Sequence, residues 1–305
     1  MRITNSILQR EAITTLQRNS AALEQAQSQV STGLKLQTAS DDPVAAAGVM
    51  RASGGLRALT QYRRNIGGAR ARLSTEESVL DQVGDLLTRA KELAIGQAGD
   101  TSNAQTRLTA KAEVDQLAQQ LVQLGNTQVN GAYLFGGDTA QTAPFKSDGT
   151  PATLATIGGG TLATSGAAPA PGNQVAISAG RWIATNHDGA AVFLKPGTMT
   201  AVNALSSALG ANDPAAIASA IGQLDTAFDG TQDLLGEVGA RTNQLDIASS
   251  NIDAFETTLT STKSDLSEAD VEASVTTLVS RQTAYQAALA ATSRIMSTSL
   301  TDYLR

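Results

Sequence analysis

The chain has a single histidine, His187, in the stretch Asn186-His187-Asp188-Gly189, and it is the first residue to weigh for proton transfer. A catalytic histidine needs a partner to orient it and a nucleophile within reach. Neither is evident nearby in the sequence, so His187 reads as a solvated turn residue. The run Gly158-Gly159-Gly160 has no Lys-Ser/Thr after it and opens no periodic helix, which argues against a phosphate loop. Asp229, Thr231 and Asp233 resemble the start of a calcium loop, but the required glycine and closing glutamate are missing. Helical spacing continues through them, so they read as a solvated helix face. There is no cysteine, which removes disulfide and thiolate chemistry, and one histidine is too few for a structural zinc site. The expectation is no catalytic residue, no metal and no cofactor.

Arg57, Arg63, Arg64, Arg70 and Arg72 form the group best suited to nucleic acid. Only Tyr62 offers a stacking ring among them, and it falls on an apolar row. The formal net charge of −6 also disfavours a phosphate-rich partner. Flanking positions on a helix seam are where interhelical ion pairs belong, so these arginines read as structural. No window holds 18 continuous apolar residues, and the start Met1-Arg2-Ile3-Thr4-Asn5 lacks the apolar core of a secretory signal. Neither a nucleic acid nor a membrane is an expected partner.

With chemistry set aside, the elements come forward. At alternating steps of three and four the sequence gives Leu59, Tyr62, Ile66, Ala69, Leu73, Glu76, Leu80, Val83, Leu87, Ala90 and Ala94. Only Glu76 breaks this row, which predicts one long helix with a narrow coiled-coil stripe. At about 1.5 Å per residue such a rod is roughly 50 Å long and cannot bury its stripe alone. Aromatic residues are only 3%, which favours slender bundles filled by Ala and Leu over a bulky core.

Partner helices are supplied on both sides. The segment from Ile3 to about Leu36 carries Ile13, Leu16, Leu23, Val30 and Leu34 on one row, interrupted by Ser20 and Gln27. Two polar members make this helix marginal until it finds a partner. Asp42 is placed to cap a new helix that Pro43 begins. A further helix over 104–128 carries Ala110, Val114, Leu117, Leu121 and Leu124, and its short connection predicts an antiparallel return. Asn130-Gly131 gives a hairpin signal, and strands are expected at Gln174–Ser178, Arg181–Ala184 and Ala191–Leu194. After Pro196-Gly197 the helical pattern returns. Asp213 and Pro214 open a second rod through Ile217, Leu224, Val238, Leu245 and Ile252. The last segment adds Val271, Val275, Leu278, Tyr285, Leu289 and Met296.

The fold class expected is mainly α with a small β-rich insertion: a long antiparallel helical bundle or coiled coil built from the N- and C-terminal regions, with the β domain in the middle. The expected division is 1–42 with 264–305, 43–140 with 201–263, and 141–200. Charge supports the pairing: residues 51–72 hold six arginines and no acid, whereas 225–272 hold eleven acids against Arg241 and Lys263. The terminal rows, Ile13, Leu16, Leu23, Val30 and Leu34 with Val275, Leu278, Tyr285, Leu289 and Met296, are the candidate assembly interface. Residues 1–42 and 264–305 are expected to be poorly ordered in the free monomer and to fold on assembly.

Particular residues add a resemblance. Ser31-Thr32-Gly33-Leu34-Lys35-Leu36, followed by Ala39-Ser40-Asp41-Asp42-Pro43-Val44, resembles the amino-terminal motif of bacterial flagellins. The motif residues Ser40, Asp41, Asp42 and Pro43 are similar to the hook-associated branch, because filament flagellins usually lack the proline. The likeness continues through Leu80–Leu93, Asn130–Gly137, Gly239–Leu245 and the tail Gln286–Leu304. The resemblance implies a structural subunit of the flagellum that joins hook to filament, a homo-oligomer touching a neighbouring hook-associated protein and flagellin. The filament subunit is the alternative, and an insertion domain with binding or hydrolytic activity is the remoter one. It also implies type III export, an extracellular destination and an export chaperone on the carboxy-terminal segment, at Leu278, Tyr285 and Leu289. An enzyme is not expected.

Overall fold

The computed structural model describes residues 2–99, 102–137, 141–146, 149 and 174–303, without the side chains of 2–6, 8–9 and 295–303. Six α-helices carry most of it: α1 (Arg2–Thr32), α2 (Pro43–Ala98), α3 (Ala104–Gly125), α4 (Thr198–Gly210), α5 (Pro214–Ser267) and α6 (Val271–Tyr303). Two short antiparallel pairs, β1 (Gln128–Val129) with β2 (Ala132–Tyr133) and β3 (Gln174–Ser178) with β4 (Arg181–Ala184), account for the strands. The fold is mainly α. The glycine run at 158–160 lies outside the described residues.

Helix boundaries follow local chemistry. The Asp42 carboxylate accepts from the Val44 and Ala45 amides, so α2 starts at Pro43 with its first donors satisfied. Asn103, Asp213 and Asp270 do the same for α3, α5 and α6. Helix α1 ends because Gly33 turns left-handed at φ 69°, with its amide on the Gln29 carbonyl. The β1–β2 turn places Asn130 and Gly131 both at positive φ, the conformation a two-residue hairpin of this hand requires.

The chain forms two compact units, residues 1–58 with 254–305 and residues 59–253. The 59–253 unit is built on the α2 seam. Every seam residue from Ile66 to Ala94 is at most 3% exposed, Glu76 included. Helix α3 returns antiparallel along α2, tied by Arg89 to Glu113 at 2.7 Å, while α5 runs antiparallel on another side, tied by Lys91 to Asp225 at 2.5 Å. Val114, Leu121, Ile217, Leu224, Val238 and Leu245 close the core from those helices. Arg107 is buried and donates to the Gln97 and Gly99 carbonyls and to Asn212 Oδ1, joining the α2–α3 turn to the α4–α5 turn.

Two elements differ from the sequence reading. Ala191–Leu194, expected as a strand, belongs to a π-helical turn, Ala190–Leu194. The Asp188 carboxylate caps the Ala191 amide, and Lys195 N–H bonds Ala190 O at 2.8 Å. Val192 and Phe193 are adjacent yet both fully buried, which a strand with one face in water would not give. Phe193 packs edge-on against Phe135 and Phe145, each with ring centroids 5.3 Å away. Helix α4 was not set apart in the sequence; it lies against α3, with Ser206 donating to Asp115.

In the other unit, α1 packs along α6. The backbone between them is stitched by an antiparallel bridge: Lys35 N–H donates to Ser267 O at 2.9 Å and Ala269 N–H to Gly33 O at 2.8 Å. The Lys35 ammonium adds a bond to Asp265 O at 2.6 Å. Gly48 and Gly55, one heptad apart on α2, face Leu266 and Leu259 on α5. A Cβ at either glycine would fall 2.6 or 2.8 Å from a leucine methyl, so a larger residue would require that leucine to shift its rotamer.

Candidate functional site

Two features of the molecule stand out against a well-covered bundle: a set of apolar side chains left open on the terminal helices, and one buried ionic cluster.

The terminal rows are only half covered. Leu16, Leu23 and Val30 of α1 and Leu278 and Tyr285 of α6 are half-buried where the two helices meet. Ile13, Leu34, Val275 and Leu289 remain exposed, at 37–46%. Met296 lies on α6 with its side chain outside the described residues. Ile7, Val271 and Val279 extend the open apolar surface, as do Val44 and Met50 at the start of α2 and Phe255 on α5. Each leucine or valine left open forgoes part of the ~1.5–3 kcal/mol that full burial gives, so this face gains on meeting another apolar surface.

The residues Ser40 to Pro43 shape the turn between α1 and α2. The Asp41 carboxylate accepts from the Thr38 and Gln37 amides and the Thr38 hydroxyl, and the Thr38 amide leads in holding its pKa below the usual carboxylate range. Ser40 Oγ shares a bond with the same Thr38 hydroxyl at 2.8 Å. Asp42 and Pro43 start α2. All four act on backbone geometry.

Two of the arginines, Arg63 and Arg70, pair with acids of α5 as the charge pattern predicts. Arg63 pairs with Asp253 at 2.5 Å, Arg70 with Asp246, and Arg64 with the Gln61 amide oxygen at 2.6 Å. Thr231 is buried with its hydroxyl on Ala227 O, while Asp229 and Asp233 are exposed. Among the described residues no group of three or more His, Asp or Glu could hold a metal ion, and no helix is long and apolar enough to cross a membrane.

His187 departs from its sequence reading. It is 8% exposed, not solvated, because the chain after β4 runs inward between α2 and α5. Its Nδ1 lies 2.6 Å from Glu76 Oε1, and its Nε2 lies 3.0 Å from Glu237 Oε2. Its own amide donates to Glu76 Oε1 as well, at 3.0 Å. Burial pushes the imidazole pKa down, but the Glu76 hydrogen bond and charge, with Glu237 assisting and Arg241 opposing, raise it above the ordinary value. The hydrogen bond from His187 to Glu237 leads in lowering the Glu237 pKa. Glu76, read as a break in the seam, is thus a buried partner, and Glu237 and Arg241 complete the cluster. The signal was present: a lone carboxylate on an apolar row needs a cation, and the partner lies 111 residues away. Both ring nitrogens are engaged by these carboxylates.

The model of the bacterial flagellin N-terminal helical region matches residues 3–140, and that of the C-terminal helical region matches residues 221–304. Flagellar hook-associated protein 3 of Escherichia coli (strain K12) is 34% identical over 121 residues, 39% of this chain and 38% of that protein. Its Salmonella typhimurium counterpart is 30% identical over 146 residues, 48% of this chain and 46% of that one. The chain therefore spans less than half the length of these curated relatives. The crystal structure of the flagellar junction protein FlgL from Legionella pneumophila shares the fold, with a TM-score of 0.54 at 16% identity over 72% of this chain and 100% of that one.

Proposed function

The chain belongs to the bacterial flagellin family, and from that premise we propose that it is a structural subunit of the flagellum, seated where hook meets filament. The observation that carries this reading is the contrast between two helix seams. The α2 seam from Ile66 to Ala94 is dry, whereas Ile13 on α1, Leu34 just after it, and Val275 and Leu289 on α6 stay open. A face of this kind suits docking against neighbouring subunits. The chain resembles hook-associated protein 3 over its best-matching stretches, which favours the junction over the filament itself.

In this proposal residues 1–42 with 264–305 form the assembly domain, 43–140 with 201–263 the supporting bundle, and 141–200 a surface insertion. Self-association brings Ile13, Leu16, Leu23, Val30 and Leu34 against Val275, Leu278, Tyr285, Leu289 and Met296 of this and adjoining copies. Hook-associated and flagellin subunits flank the ring so formed. Before assembly the terminal segments are only marginally stable, which suits passage through an export channel, and a chaperone covers Leu278, Tyr285 and Leu289 until release. The subunit does no chemistry. Deleting the gene should give cells with hooks, no filaments and flagellin shed into the medium, restored by the full chain. A deletion strain that still grows filaments overturns the junction role, and loss of the filament protein itself identifies a filament subunit.

A further inference from the structure

The His187 cluster belongs to the 59–253 unit, and its geometry has a consequence. Both ring nitrogens face carboxylate oxygens, Nδ1 toward Glu76 at 2.6 Å and Nε2 toward Glu237 at 3.0 Å. A neutral imidazole has one donor and one acceptor. Whichever tautomer it took, one nitrogen lone pair would point at a carboxylate oxygen. Only the imidazolium donates to both. Glu76 adds a second reason: it is 0% exposed, and a carboxylate that deep needs a cation beside it.

We propose that His187 is a charged latch: its imidazolium pins the segment running from β4 into the π-helical turn onto α2 and α5, and loss of its proton releases that segment. Glu76 faces the ring from α2. Glu237 and Arg241 face it from α5, with Arg241 also reaching Glu237 Oε2 at 3.4 Å. Asp188, next in sequence, is engaged by the Ala191 amide, and Lys195 adds positive charge near Glu237. With the ring protonated, the two carboxylates and two cations balance. Without it, Glu76 is left as a buried charge with no counterion. The segment so held carries Gly189, whose amide bonds Phe135 O, and the buried Val192 and Phe193.

The sign of the pH effect follows. The folded-state pKa of His187 is raised, so the latch is fully present below the unfolded value of about 6.5 and is lost as pH rises through the folded value. Because the chain has one histidine, ring-nitrogen NMR on the uniformly labelled full chain reports His187 alone. We expect both nitrogens protonated below the unfolded value of about 6.5, and a midpoint above that of the urea-unfolded chain. Amide protection at Gly189, Val192 and Lys195 should fall about tenfold per pH unit between the two midpoints. Glu237→Gln, made at a carboxylate 61% exposed, should keep the helix content and lower the midpoint. His187→Gln should flatten the pH dependence of protection. A folded-state midpoint no higher than that of the urea-unfolded chain, a midpoint unmoved by Glu237→Gln, or protection that does not change with pH would each overturn the latch.

Discussion

Leu289→Asp separates folding from assembly. Leu289 is 42% exposed on α6, so its removal forfeits little more than half of the ~1.5–3 kcal/mol of a buried leucine, about 1–1.5 kcal/mol in the free chain. Aspartate adds a few tenths for lower helix propensity. The 59–253 unit contains none of these residues and should melt unchanged. In the proposed subunit contact the cost is of another order, because a carboxylate closed off without a partner costs several kcal/mol per copy. A loss of about 3 kcal/mol already weakens each contact more than a hundredfold. Ser280→Asp, on an exposed polar position of the same helix, controls for added charge. The assay is circular dichroism melting of the purified chain beside swimming of a complemented deletion strain. Near-normal melting with lost motility is expected for Leu289→Asp alone. Wild-type swimming by that variant refutes the assembly face.

Other outcomes follow from particular contacts. Leu80→Ala, at a position 0% exposed in the α2 seam, should cost about 2–5 kcal/mol in denaturant unfolding, several times the loss at an open position such as Val275. Asp42→Ala removes the acceptor of the Val44 and Ala45 amides and should lower stability by about 0.5–2 kcal/mol, read as a drop in Tm with recovery in Asp42→Asn. A double-mutant cycle on Arg70 and Asp246, both about half exposed, should give a coupling no greater than about 1 kcal/mol that fades with added salt.

The helices were legible because their signals are periodic and local. Leu59 to Ala94 keep one stripe at steps of three and four, and Asp42-Pro43 and Asp213-Pro214 announce their helices by cap chemistry that acts within three residues. The arginine-to-acid pairing of α2 with α5 was legible too, since like charges segregate along whole helices. What was not legible depends on distance. Nothing around His187 in sequence names Glu76 or Glu237, because the ring is buried by the way β4 delivers the chain between two helices. Ala190–Leu194 misled for the opposite reason: four apolar residues in a row suit a strand, and only the packing of Phe193 on Phe135 and Phe145 selects the wider turn.

The stitch joining Lys35 to Asp265 spans 230 residues of chain, and that sets an order of events. On a ribosome the first segment emerges with nothing to fold against, and it waits through the whole of 59–253, which is contiguous and can close on itself. The entropic toll of bringing such remote ends together falls once the intervening stretch has become compact. Residues 254–305 therefore complete the unit begun by 1–58, and removing α6 should leave α1 without its mate.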